Sequence, residues 1–406
     1  MLTSIPPSLL DEAGRQRVSS PKKKQQTPEA RLDALTSLRF IAAAMIVVSH
    51  TAGYFYLDPR EVIKNLPLAQ GVSFFFILSG FILTHVYQDL SGFKSTLHFL
   101  AARIARVYPV YIVTAILTYE ILPASMIAKD PVGMIQTAVT QLCMVHGWIP
   151  ERFFYFSVNS PSWSISTEFF FYLAFPVLVL NIRKDWLTKL CLLALLPISL
   201  IVASHILHLP TLGEAEQVST HGLLYINPLS RIFEFYLGML TCLLVSRIKP
   251  RDPDRVVTTF VEIAAIAVIA GVIMNIEPLM FRCGLTNAFP TLSLYLKYCG
   301  NTFGYVLLIA AVSLERGLIA RLLRAAPLVF LGEVSYSVYL IHFPLFAWFN
   351  NNHALFATTA RILRYGIYWA ALLALSTLSF MFLEKPARKF LRRIFTNWID
   401  GKGASA

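Results

Sequence analysis

The stretch 38-LRFIAAAMIVVSHT-51 decides how this chain is read. Residues 40–48 are apolar throughout, which suits a membrane-spanning helix, yet Arg39 stands at one end and His50 lies inside. Ionisable groups at membrane depth are costly and by default mark a function. Steps of about 100° bring His50 back to within roughly 20° of Arg39, three turns along the same helix face. At about 1.5 Å per residue the two lie about 16 Å apart, so Arg39 at a membrane edge puts His50 near the midplane. That face is expected to lie against something charged.

The rest of the sequence agrees with a membrane setting. Of 406 residues, 56% are hydrophobic and only 14% charged, and the mean hydropathy is +0.60. Runs of about 20 apolar residues recur along the chain, which predicts an all-α, polytopic integral membrane helical bundle. Residues 1–30 are polar, with Lys22, Lys23 and Lys24 in a Ser/Pro/Gln-rich context, and no apolar core precedes them. They read as a disordered cytoplasmic tail rather than a signal peptide. The net charge of +12 would suggest nucleic acid in a soluble protein; in this one it sets topology, and the expected partner is the lipid bilayer, with no nucleic acid. Cys143, Cys191, Cys242, Cys283 and Cys299 are scattered without a CxxC pair. That pattern excludes a zinc ribbon or disulfide framework, and no metal site is expected.

Apolar segments fall near 35–56, 67–88, 99–122, 163–182, 187–208, 228–246, 257–276, 292–314, 328–349 and 362–383, giving about ten transmembrane helices. Segment 131–149 is weaker, since Gln136, Thr137, Thr140, Gln141 and His146 are polar for a lipid-exposed helix. If it does not cross, 26 of the 35 Lys and Arg residues fall on the side of the N-terminus. The positive-inside rule then predicts both termini cytoplasmic, in an inner or plasma membrane, with 131–149 re-entrant or interfacial on the outer side. The expected divisions are the 1–30 tail, a transmembrane domain over 31–390, and a cytoplasmic C-terminal tail over 391–406. No internal repeat is evident, which weighs against a transporter built from inverted halves.

Several polar groups remain that apolar spans do not need. In 98-HFLAARIARVYPVY-111, Arg103 and Arg106 are three apart and share a face at the cytoplasmic mouth. Taken alone they could be snorkelling side chains. With Arg39 at the same depth they suit an anion clamp, because guanidiniums match phosphate geometry. In 160-SPSWSISTEFFFYLAFP-176, Glu168 falls about one and a half turns inside from the outer face and needs His50 or an arginine as partner. Trp163 by itself would suit an interfacial belt. In 328-LVFLGEVSYSVYLIHFPLFAW-348, Tyr336, Tyr339 and His342 recur every three residues; such a Tyr–His pair more often serves interhelical bonding than catalysis. Glu384-Lys385-Pro386 closes the last span, where salt bridges to the arginine rim are expected.

These residues together resemble the acyltransferase 3 membrane proteins, which O-acylate cell-envelope polysaccharides, lipids and some secreted small molecules. Arg39 and His50 resemble the family's Arg, ten residues, His pattern, and 73-SFFFILSGFIL-83 its second span. Arg103 and Arg106 are similar to its RxxR, and 163-WSISTEFFFY-172 to its Trp-Ser-x-x-x-Glu motif. The block 335-SYSVYLIHFP-344 resembles its SYxxYLxHxP, and Glu384 with Pro386 its closing Glu-x-Pro. The motifs run in order over residues 35–388, and the chain resembles the stand-alone form without a soluble hydrolase-like domain.

The resemblance implies an enzyme that moves an acetyl or short acyl group from cytosolic acyl-CoA to a hydroxyl of a polysaccharide, glycolipid or secreted small molecule. Acyl-CoA, chiefly acetyl-CoA, is then a donor substrate, and no cofactor is permanently bound. Arg39, Arg103 and Arg106 would hold the phosphates of coenzyme A. His50 would act as general base or, in a variant, as a transiently acylated nucleophile. Glu168 would orient His50 or the acceptor, and Trp163, Ser164, Tyr339 and His342 would lie along the substrate path. The alternative is a transporter or flippase for an anionic or glycosyl lipid with the same arginines as its gate. His50 discriminates, because a flippase would tolerate Gln there.

Overall fold

A computed structural model describes residues 32–55, 66–87, 90–121 and 131–401. The tail expected over 1–30 lies outside the described residues. Among these residues there are thirteen α-helices of ten residues or more. They are α1 (Asp33–Thr51), α2 (Gly71–Val86), α3 (Phe93–Ile121), α4 (Pro131–Leu142), α5 (Trp163–Val179), α6 (Ile182–Ile206) and α7 (Pro228–Ile248). They continue with α8 (Arg255–Arg282), α9 (Pro290–Cys299), α10 (Thr302–Ser313), α11 (Ala326–Asn351), α12 (Arg361–Ser379) and α13 (Lys385–Ile399). Nine helical stretches among the described residues are long and apolar enough to cross a membrane. The protein is a polytopic helical membrane protein.

The eighth expected span, 292–314, is divided into α9 and α10 at Gly300 and Asn301. A break at membrane depth frees backbone groups that lipid cannot satisfy, so neighbouring helices must do so. Gln70 Nε2 donates to the Lys297 carbonyl at 2.6 Å, and Ser73 Oγ to that of Tyr298 at 3.2 Å. Asn301 Nδ2 donates to Gln70 Oε1, and Thr302 Oγ1 to Glu234 Oε1 at 2.9 Å. Behind these contacts Arg231 and Glu234 form a fully buried ion pair at 2.9 Å. The Arg231 guanidinium also donates to Ser73 Oγ at 2.9 Å and to Cys299 Sγ at 2.7 Å.

Segment 131–149 is α-helical only over the 12 residues of α4. At Met144 the backbone turns through a positive φ of 54°, and two of the polar residues that weaken it as a span, Gln141 and His146, are used inside the protein. Gln141 accepts from Tyr111 Oη at 2.6 Å and donates to Ser157 Oγ at 2.9 Å. His146 Nε2 lies 3.3 Å from Ser162 Oγ, and both residues are buried. The boundary expected near residue 391 is not an end of structure: α12 runs through a π turn at Phe380–Glu384 into α13.

Two crossings position the site. Helices α2 and α7 meet at Gly80 and Gly238, where a Cβ on either glycine would land on the other helix's backbone, at Phe235 and Ile77 respectively. Helix α11 lies directly along α1. Helices α6 and α8 sit outside the core, with most of their apolar side chains exposed, as lipid-facing helices do.

Candidate active site

Five helices, α1, α2, α3, α5 and α11, enclose a cavity of about 250 Å³. Arg39 comes from α1, Arg103 and Arg106 from α3, Glu168 and Ser164 from α5, and Tyr336 and Tyr339 from α11; α2 supplies an apolar wall with Ser79 in it. Glu168 accepts from Ser79 Oγ at 2.9 Å. Arg103 donates to Tyr87 Oη at 3.3 Å, while its buried Nε has no partner. Among the described residues, no carboxylate comes within ion-pair distance of these three guanidiniums. Glu384 stands nearby, accepting from Ser337 Oγ at 3.1 Å and within electrostatic reach of Arg106 and Arg39. No salt bridge to the arginine rim forms at Glu384 among the described residues. The cavity thus holds more positive than negative charge, together with space.

His50 and His342 lie beyond this cavity and face each other. His50 Nδ1 is 2.9 Å from His342 Nε2, with the rings stacked at 5.2 Å and 18°. Their hydrogen bonds fix the protons in the neutral pair. His342 Nδ1 lies 2.5 Å from the Tyr339 carbonyl oxygen, which can only accept, so this nitrogen carries a proton. His342 Nε2 is then an acceptor, and His50 Nδ1 must donate to it. That leaves the lone pair on His50 Nε2. His342 is fully buried and its backbone is held by Tyr368, whose hydroxyl donates to the His342 carbonyl at 2.9 Å. His50 is exposed, so the free nitrogen belongs to the accessible ring.

Sequence reasoning paired Glu168 with His50 or an arginine. The structure instead gives His50 to His342, because α11 lies along α1, and leaves Glu168 bonded to Ser79 among the arginines. Trp163 does not line the cavity; it is buried behind the wall, against Tyr225 at 4.7 Å and Phe76 at 6.3 Å. Tyr339 divides the two regions. Its ring lines the cavity and lies 5.9 Å from the His342 ring, and its hydroxyl meets Ser164 Oγ at 2.7 Å and the Pro161 carbonyl at 3.0 Å. Ser79 and the Arg231–Glu234 pair went unread. Their signal was present as polar residues inside apolar runs, which the membrane-depth rule flags.

A helical membrane bundle with a cationic cavity beside a histidine pair defines the class that comparison identifies: the chain belongs to the acyltransferase 3 family, whose model, described as "Acyltransferase domain", matches residues 32–383. It is a multi-pass membrane acyltransferase. The chain is similar to Acyltransferase MdmB of Streptomyces mycarofaciens, 29% identical over 324 residues, covering 77% of this chain and 78% of that protein. It is also similar to Peptidoglycan O-acetyltransferase OatA of Listeria monocytogenes, 26% identical over 355 residues, covering 82% of this chain and 52% of that protein. A third relative is the putative peptidoglycan O-acetyltransferase YrhL of Bacillus subtilis, 24% identical, with 81% of this chain and 52% of that protein covered. The chain spans about half the length of these last two relatives. No solved structure matches it at a significant level. Family membership decides for an O-acyltransferase over a transporter.

Proposed function

We propose that this protein transfers an acetyl or short acyl group from cytosolic acyl-CoA to a hydroxyl of an envelope glycan, a glycolipid or a secreted small molecule. The observation that carries this reading is the unpaired positive charge of Arg39, Arg103 and Arg106 around one cavity. A cavity of about 250 Å³ is below the range of roughly 300–1,000 Å³ that takes a whole drug-sized ligand. It suits the donor's slender pantetheine arm, with the phosphates at the guanidiniums. In this reading the cavity opens to the cytoplasm, and Tyr339 is the door between the thioester and the histidine pair.

The accessible lone pair on His50 Nε2 suits a general base. It takes the proton of the acceptor hydroxyl as that oxygen attacks the thioester carbonyl carbon. The carbon–sulfur bond then breaks, and the departing thiolate of coenzyme A receives the proton. His342 Nε2 accepts from His50 Nδ1 throughout, so it stabilises the imidazolium that forms. The acceptor named for the OatA relatives, peptidoglycan, supports a glycan hydroxyl as one acceptor class.

Acyl transfer by purified protein in nanodiscs, with labelled acyl-CoA and envelope extracts as acceptor, tests the proposal. His50→Ala and His50→Gln should lower turnover by about 10²–10⁴ while donor binding persists. Moving the imidazole one residue, as His50→Ser with Thr51→His, turns it about 100° off the face and should not restore activity. Near wild-type turnover by His50→Ala would make His50 structural. Label retained on the protein without acceptor, and absent from His50→Ala, would identify a covalent acyl-histidine instead.

A further inference from the structure

The last helix carries a feature the catalytic reading does not use. From Arg361 to Ile399 the chain is helical over 39 residues. At about 1.5 Å per residue such a length exceeds the roughly 30 Å hydrocarbon core by nearly twofold. Its end, α13, therefore lies beyond that core. The sequence 385-KPARKFLRRIFTNWI-399 is built for the boundary. Phe390, Ile394 and Trp398 recur every four residues, form one stripe, and are 64%, 45% and 76% exposed. Steps of about 100° gather Lys385, Arg388, Lys389, Arg392 and Arg393 into an arc of about 140° centred opposite that stripe. All five are exposed. Leu391, Phe395 and Ile399 are half-buried on the remaining flank, and α13 packs along α3.

The docking is pinned at its far end. Asp400 accepts from Lys94 Nζ at 2.8 Å and lies 3.2 Å from His98 Nε2, both at the start of α3. Phe93, beside that latch, is 79% exposed. Two aromatic residues at one level, Phe93 and Trp398, with basic residues around them, match the pattern of a headgroup layer. The first turn of α13 follows Glu384, which is within reach of Arg106 and Arg39. The helix therefore lies at the arginine end of the bundle.

We propose that α13 is an interfacial helix whose Phe390–Ile394–Trp398 stripe sits in the acyl boundary of the leaflet at the arginine end, and whose basic arc recruits anionic phospholipid headgroups. Charge complementarity selects this occupant: five cations form the face opposite the stripe, and each Lys or Arg near an anionic surface is worth roughly a fivefold preference. A zwitterionic surface or a second copy of the same cationic helix would leave those charges unmatched.

The full-length protein in nanodiscs tests this. Lipids brominated near the headgroup end of their acyl chains should quench a component of tryptophan emission that Trp398→Phe removes. Native mass spectrometry from mixed phosphatidylglycerol and phosphatidylcholine discs should show retained phosphatidylglycerol falling at least fivefold in Lys389→Gln/Arg392→Gln/Arg393→Gln. These side chains are exposed, and Leu391 and Phe395 stay in place, so the fold is expected to survive; an unchanged melting temperature checks it. Quenching of the Trp398 component by aqueous iodide alone would overturn the proposal, as would anionic lipid retention unchanged in the triple variant. A Trp398→Cys disulfide between two copies would overturn it in favour of an interface between copies.

Discussion

Two arginine–carboxylate clusters among the described residues are opposites. Arg231 and Glu234 are matched one to one, fully buried, and bonded further to Ser73, Cys299 and Thr302. Arg39, Arg103 and Arg106 face one lining carboxylate, Glu168, across open space. The first arrangement leaves nothing for a ligand to add. The second leaves charge that only an incoming anion can neutralise. The same residue types thus close a broken helix in one place and leave an open cationic cavity, the proposed donor site, in the other. Balance and space, rather than the presence of arginine, separate structure from function.

The contrast breaks most visibly if Arg231 is removed. Arg231→Ala strands a buried Glu234, and breaking such a pair costs about 3–5 kcal/mol. Detergent-extracted protein should melt far lower or aggregate, whereas Arg231→Met with Glu234→Leu should recover most of the loss. Equal instability of single and double variants would show that the charges are not the issue. The next effect tests a sealed group without charge. Burial holds His146 at about 4, below its usual 6.5, so the unfolded chain binds that proton more readily. Stability should be complete above about 6.5 and decline as pH falls toward 4, by up to roughly 3 kcal/mol. Melting at pH 7 and pH 5 should differ in the wild type and by less in His146→Gln, where His221, likewise held at about 4 by burial, keeps part of the dependence.

Smaller effects sharpen the open cluster. Arg103→Ala or Arg106→Ala should leave melting unchanged and weaken acyl-CoA binding by about 1.5–3 kcal/mol per lost contact. Lys should rescue only in part, since it lacks the fork. Wild-type affinity in both Ala variants would remove the clamp. The smallest effect belongs to Asp400, whose carboxyl the Lys94 ammonium holds below its usual 3.8. Its contribution is present above that value and lost as pH falls below it. Asp400→Asn should not shift melting measurably at pH 7, because exposed ion pairs contribute little.

What could be read in advance follows from range along the chain. Arg39, Arg103 and Arg106 were legible because helix rise converts sequence position into depth, and depth brings them to one rim; Glu168, counted from the outer face, joins them in the cavity only through the packing of α5. The contact of His50 with His342 was not, since the two are 292 residues apart and only the packing of α11 on α1 joins them. The break at Gly300 and Asn301 was hidden for the same reason. A glycine and an asparagine can interrupt the apolar run there because Gln70 meets Asn301 and Glu234 meets Thr302 from other helices. Trp163 has the composition of a belt residue, and local sequence does not reveal that Tyr225 and Phe76 enclose it.

The crossing at Gly80 and Gly238 has a mechanical consequence. Helix α2 contributes the apolar wall of the cavity, from Val72 to Leu83, and it touches α7 backbone to backbone with no side chain between them to yield. Helix α7 is in turn tied through Arg231 and Glu234 to the broken helix. Those elements form an anvil. Under the proposed function, the widening that admits a donor is expected on the opposite side, where α1, α3 and α11 carry the arginines and Tyr339. In that reading the arginines ride on the side that moves and the apolar wall on the side that does not, so the gate and the grip would be a single part.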